Sequence, residues 1–126
     1  MRKILIIGAG RSTSSLVQYL LFNAEPENWF VTIADRSKDL AVKSANNNDK
    51  ARAIAFDVNN DEERNRLIDE HDIIISMLPA HMHIAVAKDC IRLKKHMVTA
   101  SYVSKEMKAL KQEAIDAGVI LMNEIG

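Results

Sequence analysis

The sequence predicts an α/β fold: one doubly wound parallel sheet of six strands in the order 3-2-1-4-5-6, with helices on both faces. Three observations carry this. Short runs rich in Ile and Val alternate with helically spaced segments along the whole chain. The runs are apolar at consecutive positions, as strands covered on both faces are. The first run ends in a Gly-x-Gly turn that leads at once into a helical pattern. Six such runs separated by five helical patterns describe a parallel sheet. Right-handed crossovers then select the doubly wound order.

The first strand is read at 4–7 and closes on Gly8-Ala9-Gly10. Leu16, Val17, Leu20 and Leu21 make the apolar stripe of the helix that follows, and 25–28, with Pro26, separates it from the second strand at 30–34. A helix beginning near Ser37 leads to the polar loop 46–49 and a third strand at 53–56. Leu67 and Ile68 close a charged helical stretch that starts at Asp61, before a fourth strand at 73–75. Ile84, Val86, Ala87, Cys90 and Ile91 form the next stripe, ahead of a fifth strand at 97–99. Met107, Leu110, Ala114 and Ile115 form the last, ahead of a sixth strand at 119–122.

Length and composition fit one domain over 1–126, with no internal repeat or linker. A chain of 126 residues buries roughly two thirds of its unfolded surface. Seventeen basic and seventeen acidic residues balance, so no global field draws in nucleic acid or an anionic membrane. The single cysteine, Cys90, has no internal disulfide partner and reads as a small apolar residue of a helix in a reducing compartment. Only four consecutive apolar residues precede Gly8, too few for a signal peptide or a membrane span, so a cytoplasmic protein is expected. The chain ends just past an apolar run, which reads as a cut inside a longer protein, and a homodimer through surfaces that the missing part would cover is compatible with it.

In a doubly wound sheet, ligands lie beyond the carboxyl ends of the strands, where strand order reverses. Gly8 allows the tight turn, and Gly10 lets a pyrophosphate approach the backbone. The next helix then offers unpaired N–H groups to the anion. Thr13 stands where the fingerprint's third glycine would be, within the hydroxyl run 12–15; Ser12 and Thr13 can cap amides or bond phosphate oxygens. The cofactor is therefore NAD or NADP.

Asp35 lies somewhat farther past Gly10 than the usual acidic spacing of about 20 residues. It either accepts the ribose hydroxyls of NAD, which slightly favours that cofactor, or caps the helix near Ser37. Arg36 either pairs with the 2′-phosphate of NADP or faces solvent. Asp57 and Val58 either flank the adenine, or Asp57 caps the next helix. Ser76, Met77 and Leu78, stiffened by Pro79, end the strand that adjoins the first across the switch point. Ser101 and Tyr102 place a hydroxyl pair after the fifth strand, where a substrate would enter.

Metal chemistry has little support. In His81-Met82-His83 a stride of two points the rings to different faces of a helix, and they read as solvated residues at the nicotinamide rim. His71 and His96 read as surface groups beside charged neighbours.

With these strand ends in view, the chain resembles the saccharopine dehydrogenase (L-glutamate-forming, or saccharopine reductase) family over nearly its whole length. The markers are Gly8-Ala9-Gly10, the segment 72–79 (Asp-Ile-Ile-Ile-Ser-Met-Leu-Pro), the segment 98–104 (Val-Thr-Ala-Ser-Tyr-Val-Ser) and the closing Met-Asn-Glu-Ile-Gly of 122–126. The last two are the most specific.

The resemblance implies a nicotinamide-dependent oxidoreductase of lysine metabolism acting on the C–N bond of saccharopine. It implies that Gly8, Gly10, Arg11, Ser12, Thr13, Asp35, Arg36, Asp57, Val58, Ser76, Met77 and Leu78 meet the cofactor, and that Ser101 and Tyr102 meet the amino-acid substrate. The family's other substrate contacts lie past the end of this chain, which alone should bind dinucleotide without turnover, and no catalytic residue is assigned. Asp35 departs from members with a neutral residue there that use NADP. Two other readings stand beside it. One is a nucleotide-sensing domain of a potassium transport system, which also opens with a strand, a Gly-x-Gly-Arg turn and a helix. The other is a dehydrogenase for another amino acid.

Overall fold

The central strand β1 (Arg2–Ile7) has neighbours on both sides, and all its pairings are parallel. In the computed structural model, which describes residues 1–8, 14–99 and 105–122, the other strands are β2 (Trp29–Asp35), β3 (Ala51–Ala55), β4 (Ile73–Ser76), β5 (His96–Thr99) and β6 (Leu121–Met122). Their order is β3-β2-β1-β4-β5-β6, as the alternation of periods predicts. The helices are α1 (Ser14–Glu27), α2 (Lys38–Ala45), α3 (Asp61–Asp69), α4 (His83–Leu93), α5 (Lys105–Ala109) and α6 (Lys111–Ala117), with a 3₁₀ turn at Ala80–Met82.

Alternate residues of a strand point to opposite faces. Here both faces are covered, which is why β1 is apolar without interruption. Ile4 and Ile6 join Val17, Leu20 and Leu21 of α1 and Ala41 of α2 in one core. Leu5 and Ile7 join Leu67 and Ile68 of α3, Val86, Ala87 and Cys90 of α4, and Met107 and Leu110 in the other. Burial pushes the Cys90 thiol up to about 12, so it packs as a neutral hydrophobe. No helix among the described residues is long and apolar enough to cross a membrane.

Several boundaries differ from the sequence reading. α1 continues through Pro26 to Glu27. Proline lacks the N–H that would bond the Phe22 carbonyl and crowds it, but in the exposed last turn only one helical bond is lost before the helix ends. Asn28, at φ 59, ends the helix, and its carbonyl accepts from the Arg2 N–H. β3 lies two residues earlier than expected at its start and is a half-exposed edge strand; Phe56 extends the ladder by one bond to the Asp35 carbonyl. The last helical pattern breaks into α5 and α6 at Leu110, whose N–H is shared between the Glu106 and Met107 carbonyls. Ile115, expected in its buried stripe, is 61% exposed, because Met107, Leu110 and Ala114 already complete the inward face. Of the run 119–122 only Leu121–Met122 pairs as strand, while Val119 enters the core.

His71 is a clear correction. It is buried, with Nδ1 donating to the Leu67 carbonyl (2.6 Å) and Nε2 accepting from the Thr32 hydroxyl (2.8 Å). This neutral tautomer links the end of α3 to the middle of β2. Burial lowers its proton affinity below the usual 6.5, so the folded chain binds fewer protons than the unfolded chain below that pH. The contribution is therefore present at neutral pH and is lost as pH falls from about 6.5 toward the depressed value. Thermal scans should show Tm falling between pH 7.5 and 5. His71→Asn, which can still donate to Leu67, should flatten that fall; an unchanged slope would refute the assignment.

Candidate functional site

The carboxyl ends of β1, β2 and β4 meet at Gly8. Its N–H donates to the Ala34 carbonyl (2.8 Å), and the Met77 N–H donates to the Ile7 carbonyl (2.9 Å). Gly8 sits at φ +107, and a Cβ there would lie 3.2 Å from the Met77 carbonyl oxygen. Only glycine fits without strain, as the turn argument requires.

Beside this turn is a mainly apolar hollow of about 260 Å³. Ile7 and Gly8 form its floor, Ala34, Asp35 and Arg36 one side, Phe56 and Val58 a second, and Leu78, Pro79 and Met82 the third. Its volume is just below the usual range for a drug-sized ligand, which starts at about 300 Å³, and so suits a nucleoside half rather than a whole dinucleotide. Apolar walls with a charged pair on one rim fit an adenine and its ribose. The hollow and the Gly8 turn beside it fit the adenosine side of a dinucleotide.

Gly8, Asp35, Arg36, Val58 and Leu78, all expected at the strand ends, line this hollow, while Asp57, Ser76 and Met77 do not. The Asp35 carboxylate is half-buried and accepts from the Ser37 N–H (2.8 Å), while Ser37 itself caps α2 through Leu40 (3.3 Å). Arg36 is exposed at the same rim. Asp57 is exposed and accepts from the Asn59 N–H; α3 is capped instead by Asn60, which accepts from Glu63. The cap alternative for Asp57 is thus corrected, because Asn60 is the residue immediately before the first helical turn. Val58 is buried against the core. Met77 packs under Gly8, and Leu78 lines the hollow.

Ser76 has no exposed surface; its hydroxyl bonds His83 Nδ1 (2.8 Å) on the α4 side of the sheet. Gly10, Arg11, Ser12, Thr13, Ser101 and Tyr102 lie outside the described residues.

The stride of two does separate His81 from His83, but only His81 is exposed. His83 is buried and not a solvated rim residue, because the first turn of α4 packs directly on β4 and β5. Its Nε2 bonds the Thr99 hydroxyl (3.1 Å). Burial, with a smaller contribution from His81, holds His83 below its ordinary pKa. His96 is half-buried and accepts the Ile120 N–H at Nδ1 (3.0 Å), so it too serves the sheet.

A second buried group escaped sequence reasoning. Arg64 of α3 is 7% exposed and Asp89 of α4 is 3% exposed. Arg64 Nε meets Asp89 at 2.5 Å, one terminal nitrogen donates to the Val58 carbonyl (2.7 Å), and the other meets Asp61 (2.9 Å). Burial opposes the charge, but the bonds from Asp89 and Asp61 outweigh it and raise the Arg64 pKa. The arginine thereby anchors Val58, a wall of the hollow, to α4. The one signal in the sequence is an acid at 89 beside the apolar positions of the α4 stripe.

Residues 4–122 match the family model described as the saccharopine dehydrogenase NADP binding domain. The chain is 37% identical over 126 residues to a saccharopine dehydrogenase [NADP(+), L-glutamate-forming] of Schizosaccharomyces pombe, covering 100% of this chain and 27% of that protein. It is 33% identical to an alpha-aminoadipic semialdehyde synthase of Arabidopsis thaliana, covering 98% of this chain and 13% of that protein. Among solved structures it is similar to the apo saccharopine dehydrogenase (L-Glu forming) of Saccharomyces cerevisiae, with TM-score 0.91 and 32% identity over 100% of this chain and 27% of that one.

Proposed function

Because the chain belongs to the saccharopine dehydrogenase NADP-binding domain family, we propose that it is the dinucleotide-binding part of an oxidoreductase of lysine metabolism. The reaction is hydride transfer between a nicotinamide ring and the C–N bond of saccharopine. The cofactor supplies the hydride chemistry, and the protein binds and orients it. The chain spans about a quarter of the length of the fungal relatives it matches. The substrate side of the cleft would then come mainly from the remaining length, with Ser101 and Tyr102 contributed from this part. Alone, the chain binds cofactor and does not turn over. The family match favours this over a channel-linked nucleotide sensor.

The hollow beside Gly8 carries the reading, and its rim supports NADP(H) over the NAD that Asp35 first suggests. An aspartate prefers NAD when its carboxylate accepts both ribose hydroxyls. Here Arg36 stands beside that carboxylate on the same rim, where a 2′-phosphate would lie. A guanidinium suits that phosphate because it donates two parallel bonds.

Calorimetric titration of the 126-residue chain should show NADPH binding more tightly than NADH. Arg36→Ala should weaken NADPH by about tenfold, the loss of one charge-assisted contact, and leave NADH nearly unchanged. No heat with either cofactor would overturn the reading; an equal loss for both would overturn the role of Arg36.

A further inference from the structure

We infer that His83 is a positioning residue that couples the carboxyl end of β5 to the cofactor loop after β4, and so shapes the nicotinamide side of the cleft. The inference rests on the dinucleotide reading above. Ser76 and Thr99 are the last paired residues of β4 and β5 and stand opposite each other. Beyond Ser76 the chain runs on to Met77–Pro79, and in sequence Ser101 and Tyr102 follow Thr99 after one residue. His83 sits on the α4 face beneath both ends, with one ring nitrogen on each hydroxyl. One nitrogen donates and the other accepts, so a neutral imidazole satisfies both buried contacts. The ring closes the loop 77–82 back on its own strand and reaches across to the next.

The two bonds have separable consequences. The loop is also held by the bonds from Met77 to Ile7 and from Met82 to Pro79, so the adenosine wall survives without His83 Nε2. No residue of β5 lines the adenosine hollow. The Thr99 bond lies on the far side of β4 from that hollow, under the half of the cleft that a nicotinamide ribose would enter. Breaking it should disturb one half of the ligand and spare the other.

The test compares NADPH with 2′,5′-ADP, which lacks the nicotinamide half, as ligands of the 126-residue chain. His83→Asn keeps a polar atom near the Nδ1 position for Ser76 and loses the reach to Thr99. Thr99→Val removes the same bond from the other side with little change of shape. Both variants should bind NADPH at least about fivefold more weakly, while 2′,5′-ADP stays within about twofold. A variant that fails to fold leaves the other to decide. Equal weakening of both ligands, or an unchanged ratio, would overturn the role of His83 and leave the cofactor reading intact. Failure of the unmodified chain to bind either ligand would overturn both.

Discussion

Gly8→Ala is expected to lower the melting temperature by several degrees and to weaken NADPH by at least tenfold. Two independent costs act. The backbone at φ +107 is a region that L side chains rarely adopt, worth about 1–3 kcal/mol. On a chain of this size that is roughly 4–12 °C. The new Cβ would also lie 3.2 Å from the Met77 oxygen and 3.3 Å from its carbonyl carbon, and backbone does not give way as a flexible side-chain end does. Relief must come from moving β1's exit or the loop after β4. Both frame the place where a pyrophosphate would nest. Thermal denaturation and titration calorimetry check the two effects separately. Wild-type values for both would show that the turn relaxes freely, and the cradle would lose its meaning.

Asp89→Ala is expected to cost about 3 kcal/mol, at the lower end for breaking a buried ion pair, because Arg64 keeps Asp61 and the Val58 carbonyl. Against a total stability of about 5–15 kcal/mol this is a large fraction. The cost arises from stranding a charge between α3 and α4, not from the attraction lost. The double change Arg64→Met with Asp89→Leu should therefore recover most of the loss, since neither charge remains to be desolvated. Its cofactor affinity should stay below wild type, because nothing then holds the Val58 carbonyl from behind. Urea denaturation of the wild type and the two variants separates these terms. A single-variant cost under about 1 kcal/mol would mean that water reaches the Arg64 guanidinium.

Much of the fold was legible because it follows from two local periods. Unbroken apolar runs such as 4–7 mark strands covered on both faces, and stripes such as Val17, Leu20 and Leu21 mark helices facing a sheet. The strand ends could be found the same way, which is how Gly8, Asp35, Arg36, Val58 and Leu78 came together beforehand. The burial of His71 and His83 was not legible. A polar ring reads as surface until a partner is known. The partners of His71 and His83 are Thr32, Ser76 and Thr99, hydroxyls inside strands that look like ordinary β-formers. Arg64 was hidden for the same reason, among the acids and arginines of 61–66.

The order of the strands, the two-faced core and the location of the cleft were set by the sequence alone, because hydrophobic periodicity and chain chirality act within a few neighbouring residues. The tertiary structure decided which polar groups are buried and what each one holds. It turned Asp35 toward the Ser37 amide, Ser76 toward His83, and Arg64 toward Asp89 across 25 residues of chain. Hydrogen bonds and ion pairs of that kind depend on distances between elements, and those distances exist only once the elements have packed.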